Sequence, residues 1–179
     1  MSKTFDQLIQ PILALKPRGE VLLESVPAPQ KLAPHSLAMT ADVLEDAATG
    51  RFVLLHDPAG QDGWGGQWRC VTFSRAAIDL EMASDPLLPE IGWAWLLESL
   101  KKHGCEFINP SGTVTRVASA SFGELVERDG DSEIEVRASW TPTNADNLVE
   151  HVNAWLELLA ISAGLEPIPH GVSSIARNN

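Results

Sequence analysis

The ten residues SEIEVRASWT (132–141) alternate so regularly that they set the architecture of the whole chain. Ile134, Val136, Ala138 and Trp140 are apolar, and Glu133, Glu135, Arg137 and Ser139 between them are polar. A period of two belongs to a strand whose sheet has one buried and one wet face. Such a sheet needs partners for the strand and a helical cover for the apolar side.

Both can be found by working outward. Strands are predicted over Ser36–Leu44, Arg51–Asp57, Gln67–Ser74 and Gly112–Phe122, each flanked by turn residues. Glu20–Val26 offers a further strand, kept from a central position by Pro27, Pro29 and Pro34. Asn147–Ala163 is predicted as a covering helix, with Leu148, Val152, Trp155, Leu156 and Leu159 on one side and Glu150, Asn153 and Glu157 on the other. Thr143 or Asn144 is its expected N-cap and Gly164 its stop. A second helix begins near Pro86 or Pro89 and ends at Gly104. A third is predicted from Thr4 to Lys16, where Thr4 and Gln7 have capping-box spacing and Pro11 marks a kink or a second start. The expected fold is α+β: a two-layer, mainly antiparallel sheet of five to six strands with helices on one face, in the order α-β(3)-α-β(2)-α. One domain is expected over residues 1–166, followed by a flexible tail over 167–179.

Composition narrows the function. The chain of 179 residues is 44% hydrophobic and 21% charged, enough for one core. Its formal charge is −11 with only 13 Lys and Arg, which argues against nucleic acid as a partner. No apolar run approaches the ~20 residues of a membrane-spanning helix, and Asp6, Gln7, Gln10 and Pro11 interrupt the N-terminus where a signal peptide would be apolar. A cytoplasmic protein with no membrane association is therefore expected. Cys70 and Cys105 lie far apart without a C-x-x-C pattern and read as small core residues. The histidines at 35, 56, 103, 151 and 170 show no metal-ligand spacing, so neither a metal nor another cofactor is expected.

The chemically densest stretch is HDPAGQDGWGGQWRCVTF, from His56 to Phe73. It lacks the lysine of a P-loop, the spacing of a dinucleotide fingerprint and the carboxylate pattern of a calcium loop. It reads as a long, glycine-rich hairpin connection in which Trp64 can lie flat on bare backbone. If it holds a ligand, the pocket would be formed by His56, Asp57, Trp64, Trp68 and Arg69. His56 and Asp57 are strand neighbours and point apart, so no catalytic dyad is assigned. Ser111, in NPSGT, reads as part of a turn, and no G-x-S-x-G occurs, so no catalytic residue is named. His103-Gly104-Cys105 reads as a helix stop with a buried thiol.

Two surface features remain. Arg51, Arg69, Arg75, Arg116 and Arg137 fall in or beside predicted strands; if several share the open face they could grip a carboxylate or phosphate. Cross-strand ion pairs with Glu133, Glu135 or Asp42 explain them equally well. On the helix ending at Gly104, Leu88, Ile91 and Trp95 form a second apolar stripe nearly opposite Trp93, Leu96, Leu97 and Leu100, suited to a dimer or partner interface. The leading expectation is a non-catalytic binding module acting as a homodimer, with a protein partner or a small anionic ligand. The alternative is a small-ligand binder or enzyme using the glycine-rich loop.

PAPQKLAPHSLAMTADV (27–43), HDPAGQDGWGGQWRCVTFSRA (56–76), SDPLLPEIGWAWLLESL (84–100), SGTVTRVASASFGEL (111–125) and EVRASWTP (135–142) together resemble an actinobacterial family known as domain of unknown function number 3000. The resemblance implies a bacterial cytoplasmic protein with no assigned activity, and it supplies no catalytic residues. The order of elements also resembles type III secretion chaperones, a likeness that implies dimerisation and client binding by analogy of fold alone.

Overall fold

A computed structural model of the chain describes residues 2–125 and 132–168. The expected tail over 167–179 lies outside the described residues apart from Pro167 and Ile168. The fold is α+β, with one open six-stranded sheet whose strand pairs are all antiparallel. Its strands are β1 (Val21–Val26), β2 (His35–Val43), β3 (Ala48–His56), β4 (Trp68–Ile78), β5 (Phe107–Ala118) and β6 (Ser132–Pro142), in the spatial order β1-β2-β3-β4-β6-β5. The SEIEVRASWT stretch is therefore central, inserted between β4 and the edge strand β5.

Its alternation has the expected result. Ile134, Val136, Ala138 and Trp140 are buried, facing the long helices α4 (Leu88–Lys102) and α5 (Leu148–Ser162). Phe52 packs between Trp140 and Trp155, at ring-centre distances of 6.4 and 5.6 Å. Burial of several large side chains at one crossing is the main source of stability. At the N-terminus, α1 (Phe5–Leu8) and α2 (Gln10–Leu13) replace the single predicted helix. Pro11 sits in the first turn of α2, where its missing N–H costs nothing, and Thr4 and Gln7 close the capping box.

Several boundaries differ from expectation. The fifth strand begins at Phe107, not Gly112, and Asn109-Pro110 forms a bulge within it: the register shifts between Ile108 and Ser111, and Asn109 takes φ 52°. Turn-forming residues here interrupt a ladder without reversing the chain. The short helix α3 (Leu80–Ser84) was not foreseen; Asp79 caps it by accepting from the Met82 N–H at 2.7 Å. Asn144 caps the 3₁₀ turn Ala145–Asn147 that precedes α5, and α5 itself begins without a side-chain cap. Gly104, at φ 67°, ends α4 as expected, with the Cys105 N–H bonded back to the Leu100 carbonyl at 3.0 Å.

Candidate functional site

The five residues expected to form one pocket are divided between the two faces of the sheet. His56 and Trp68 are register partners on the helix-covered side, stacked with ring centres 4.0 Å apart. Phe5 stacks on both, and His35 lies 5.7 Å from His56. Burial, then the neighbouring His35, lowers the His56 pKa. Arg69 follows Trp68 along β4 and so emerges on the opposite, open face. Asp57 organises the loop, accepting from the Ala59 N–H at 3.0 Å and from Gln61 Nε2 at 3.1 Å. The alternation of β4 thus sets Trp68 and Arg69 on opposite sides of the sheet. The hollow inside the loop is lined by loop residues such as Pro58, Gln61 and Asp62 and by none of the five.

The loop instead serves as a roof. Trp64 packs on Ala38, Val53 and Leu55 of the open face, together with Ala28 and Ala33 of the proline-rich segment. The Trp64 carbonyl accepts from Asn109 Nδ2 at 3.0 Å and from Thr141 Oγ1 at 2.6 Å, tying the loop to β5 and β6. Gly65 is required at this crossing: it has φ 74°, and a Cβ there would stand 2.6 Å from Asn109 Nδ2.

Under this roof lies Arg69, 7% exposed. Its Nη1 donates to the Asn109 carbonyl at 2.9 Å and to Thr141 Oγ1 at 3.0 Å. Its Nη2 donates to Ser139 Oγ at 2.8 Å and to Ser111 Oγ at 3.3 Å, and the two serine oxygens are themselves 3.3 Å apart. Among the described residues Arg69 forms no ion pair with a carboxylate. Burial lowers its pKa, yet a guanidinium stays charged in any ordinary solution. The result is a buried cation held only by neutral oxygens, an arrangement whose desolvation cost goes uncompensated by an opposite charge.

Beside it the open face carries a shallow groove of about 380 Å³. The register sets Arg51, Phe73 and Arg137 in one row across β3, β4 and β6, and Val53, Val71, Ser139 and Ser111 in the next. Val71 is 39% exposed, and the Arg137 guanidinium lies 4.8 Å over the Phe73 ring. Arg51 and Phe73 also line an adjoining hollow that reaches Leu22, Glu24 and Asp42, so the two form one trough across the sheet.

The arginines separate accordingly. Arg75 fulfils the ion-pair reading, 2.6 Å from Glu133. Arg116 lies on the helix-covered side, donating to the Asp85 carbonyl. Arg51, Arg69 and Arg137 share the open face; Arg51 donates to the Pro27 carbonyl at 3.5 Å, and Arg137 reaches Glu135 at 3.8 Å. Sequence reasoning missed Phe73, Ser111, Ser139 and Thr141. The wet-face position of Ser139 was visible in its strand, but its pairing with Ser111 depends on a register that no local pattern carries.

The helical stripe is altered too. Leu88 is 1% exposed and belongs to the core, Trp95 is half-buried against it, and Ile91 is 37% exposed. Leu88 is therefore not available at a surface. The buried line of α4 runs through Leu88, Gly92, Leu96 and Leu100, midway between the two stripes read from the sequence. At the end of α4, His103 lies between Glu150 and Glu157 of α5, at 3.2 and 3.3 Å, and Lys102 also pairs with Glu157.

Burial raises the Cys70 thiol pKa and takes that of Cys105 to about 12, so neither thiol is primed as a nucleophile. Among the described residues no three His, Cys, Asp or Glu side chains converge as metal ligands, and no helix is long and apolar enough to cross a membrane.

Comparison with curated proteins found no match, and comparison with solved structures found none either. One family model, described as a protein of unknown function, DUF3000, matches residues 1–173. With almost its whole length matched, the chain belongs to the DUF3000 family.

Proposed function

We propose that the protein is a cytoplasmic, non-catalytic binding module of the adaptor or chaperone kind, which receives an extended, apolar and acidic segment of a partner protein on the open face of its sheet. The observation that carries this reading is the Arg51–Phe73–Arg137 row: two arginines stand in register on either side of Phe73, one with its guanidinium over the ring, along a mostly apolar groove in a chain of formal charge −11. Such a surface complements carboxylates set among apolar side chains. The trough is too shallow to enclose most of a small molecule and extends across several strands, which suits a polypeptide better. Where it borders Ser111 and Ser139 its polar side chains are serine, threonine and arginine, and the carboxylates of Glu24 and Asp42 line the adjoining hollow instead.

A homodimer through Leu88, Ile91 and Trp95 has less support, because Leu88 is enclosed and Trp95 half-enclosed by the chain's own core. A ligand pocket of the glycine-rich loop has less again, because its five residues do not converge.

The test is an NMR titration of the labelled protein with a peptide alternating phenylalanine and glutamate, and with its lysine counterpart. The acidic peptide is expected to move the amides of Val71, Phe73 and Arg137, and Arg51→Glu with Arg137→Glu is expected to abolish the effect. Equal binding of the lysine peptide, or shifts confined to the helical layer, would contradict the reading. So would a dimer in sedimentation that Arg51→Glu dissociates, since a second copy would then occupy the trough.

A further inference from the structure

Resting on that reading, we infer that Ser111 and Ser139 form an oxyanion subsite charged from beneath by Arg69, where the bound segment places a carboxylate. The hydrogen bonding defines what the site offers. Both serine oxygens accept from Arg69 Nη2, so both hydroxyl protons are directed elsewhere. The oxygens stand 3.3 Å apart, so one hydroxyl can donate to the other. At least one proton is then left for an outside acceptor, and both serines line the groove.

Charge favours the same occupant. Arg69 is nine-tenths buried and lacks an anionic partner among the described residues, while its Nη1 is taken up by the Asn109 carbonyl and Thr141. A hydroxyl polarised by a guanidinium is a stronger donor than a free one, and the low local dielectric preserves the field. Arg137 is the next residue along β6 on the same face, two positions from Ser139, and can supply a second, charge-assisted bond. One or two hydroxyl donors and one neighbouring guanidinium match the single charge of a carboxylate. A phosphate dianion brings more charge and more acceptors, and Val71 and Phe73 offer nothing to replace its lost hydration. The glycine-rich loop acquires a purpose here, since it shuts water away from Arg69 and leaves the serines as the outlet for its charge.

The experiment compares three probes by NMR titration: 3-phenylpropionate, its neutral counterpart 3-phenylpropanol, and inorganic phosphate. Phenylpropionate is expected to bind saturably, shifting Ser111 and Ser139, at least tenfold more tightly than the alcohol. Ser111→Ala, at the longer of the two bonds and the more exposed of the two serines, is expected to weaken it severalfold with the fold intact. Ser139→Ala is expected to remove most of the preference for acid over alcohol, and Ser139→Thr, which keeps the hydroxyl, to restore it. If acid and alcohol bind equally and both shift Val71 and Phe73, the groove stands and the subsite falls. Phosphate binding more tightly than phenylpropionate overturns the choice of carboxylate. If no probe moves an open-face resonance, both the subsite and the groove fall.

Discussion

Trp140 Nε1 donates a hydrogen bond of 2.9 Å to His151 Nδ1 in the centre of the core, where neither side chain reaches solvent. The bond requires a neutral imidazole, and burial takes the His151 pKa from 6.5 to about 4. The unfolded chain therefore binds the proton first. Stability on this account is full above pH 6.5 and falls as the pH drops toward 4, where the loss levels off. At pH 5 the loss is about 2 kcal/mol, at ~1.4 kcal/mol per pKa unit. His151→Gln, whose amide oxygen can still accept from Trp140, is expected to lack this slope. Urea midpoints at pH 7 and pH 5 measure the difference, and parallel losses in both proteins would refute it.

Gly112 lies where β5 and β6 approach under α4. A Cβ at this position would stand 2.1 Å from the Arg137 carbonyl oxygen and 2.8 Å from the Trp93 ring. Neither backbone nor ring can yield freely, so Gly112→Ala is expected to destabilise the fold by about 1–3 kcal/mol. Thr113→Ala, one residue on and exposed, is expected to stay within about 0.5 kcal/mol. Denaturant unfolding of the two variants side by side gives the comparison.

Arg75 and Glu133 form a half-buried pair, and the bond to Glu133 raises the Arg75 pKa. Solvent screening limits its value, and Glu133→Gln is expected to cost at most about 1 kcal/mol at low ionic strength. The deficit should shrink in molar salt, where the screening length falls to about 3 Å. A deficit that salt leaves unchanged would mean that the pair acts through packing.

The layers of this fold were legible because burial is written locally. Ile134, Val136, Ala138 and Trp140 announce their face through spacing alone, and Leu148 to Leu159 do the same for α5. The site was less legible because it depends on which strand lies next to which. Nothing near Ser139 indicates that β5 returns to place Ser111 opposite it, or that Phe73 stands between Arg51 and Arg137. Trp68 and Arg69 show the boundary between the two kinds of information. Their adjacency already implied opposite faces, while the path of the loop that closes over Arg69 became visible only in three dimensions. The burial of Leu88 was hidden for a related reason: α4 buries a line between its two apolar stripes, a choice made by the packing of α4 on the sheet and α5.

The open face is best judged by fluorescence anisotropy of a labelled peptide alternating phenylalanine and glutamate, measured on the wild type and on Arg51→Gln with Arg137→Gln at low and high salt. If the flanking arginines recognise the segment, the double variant binds at least tenfold more weakly at low salt, and the gap narrows as salt screens the wild-type contacts. Equal affinities for the two proteins at low salt, with both folded, would contradict a binding role for the Arg51–Phe73–Arg137 row.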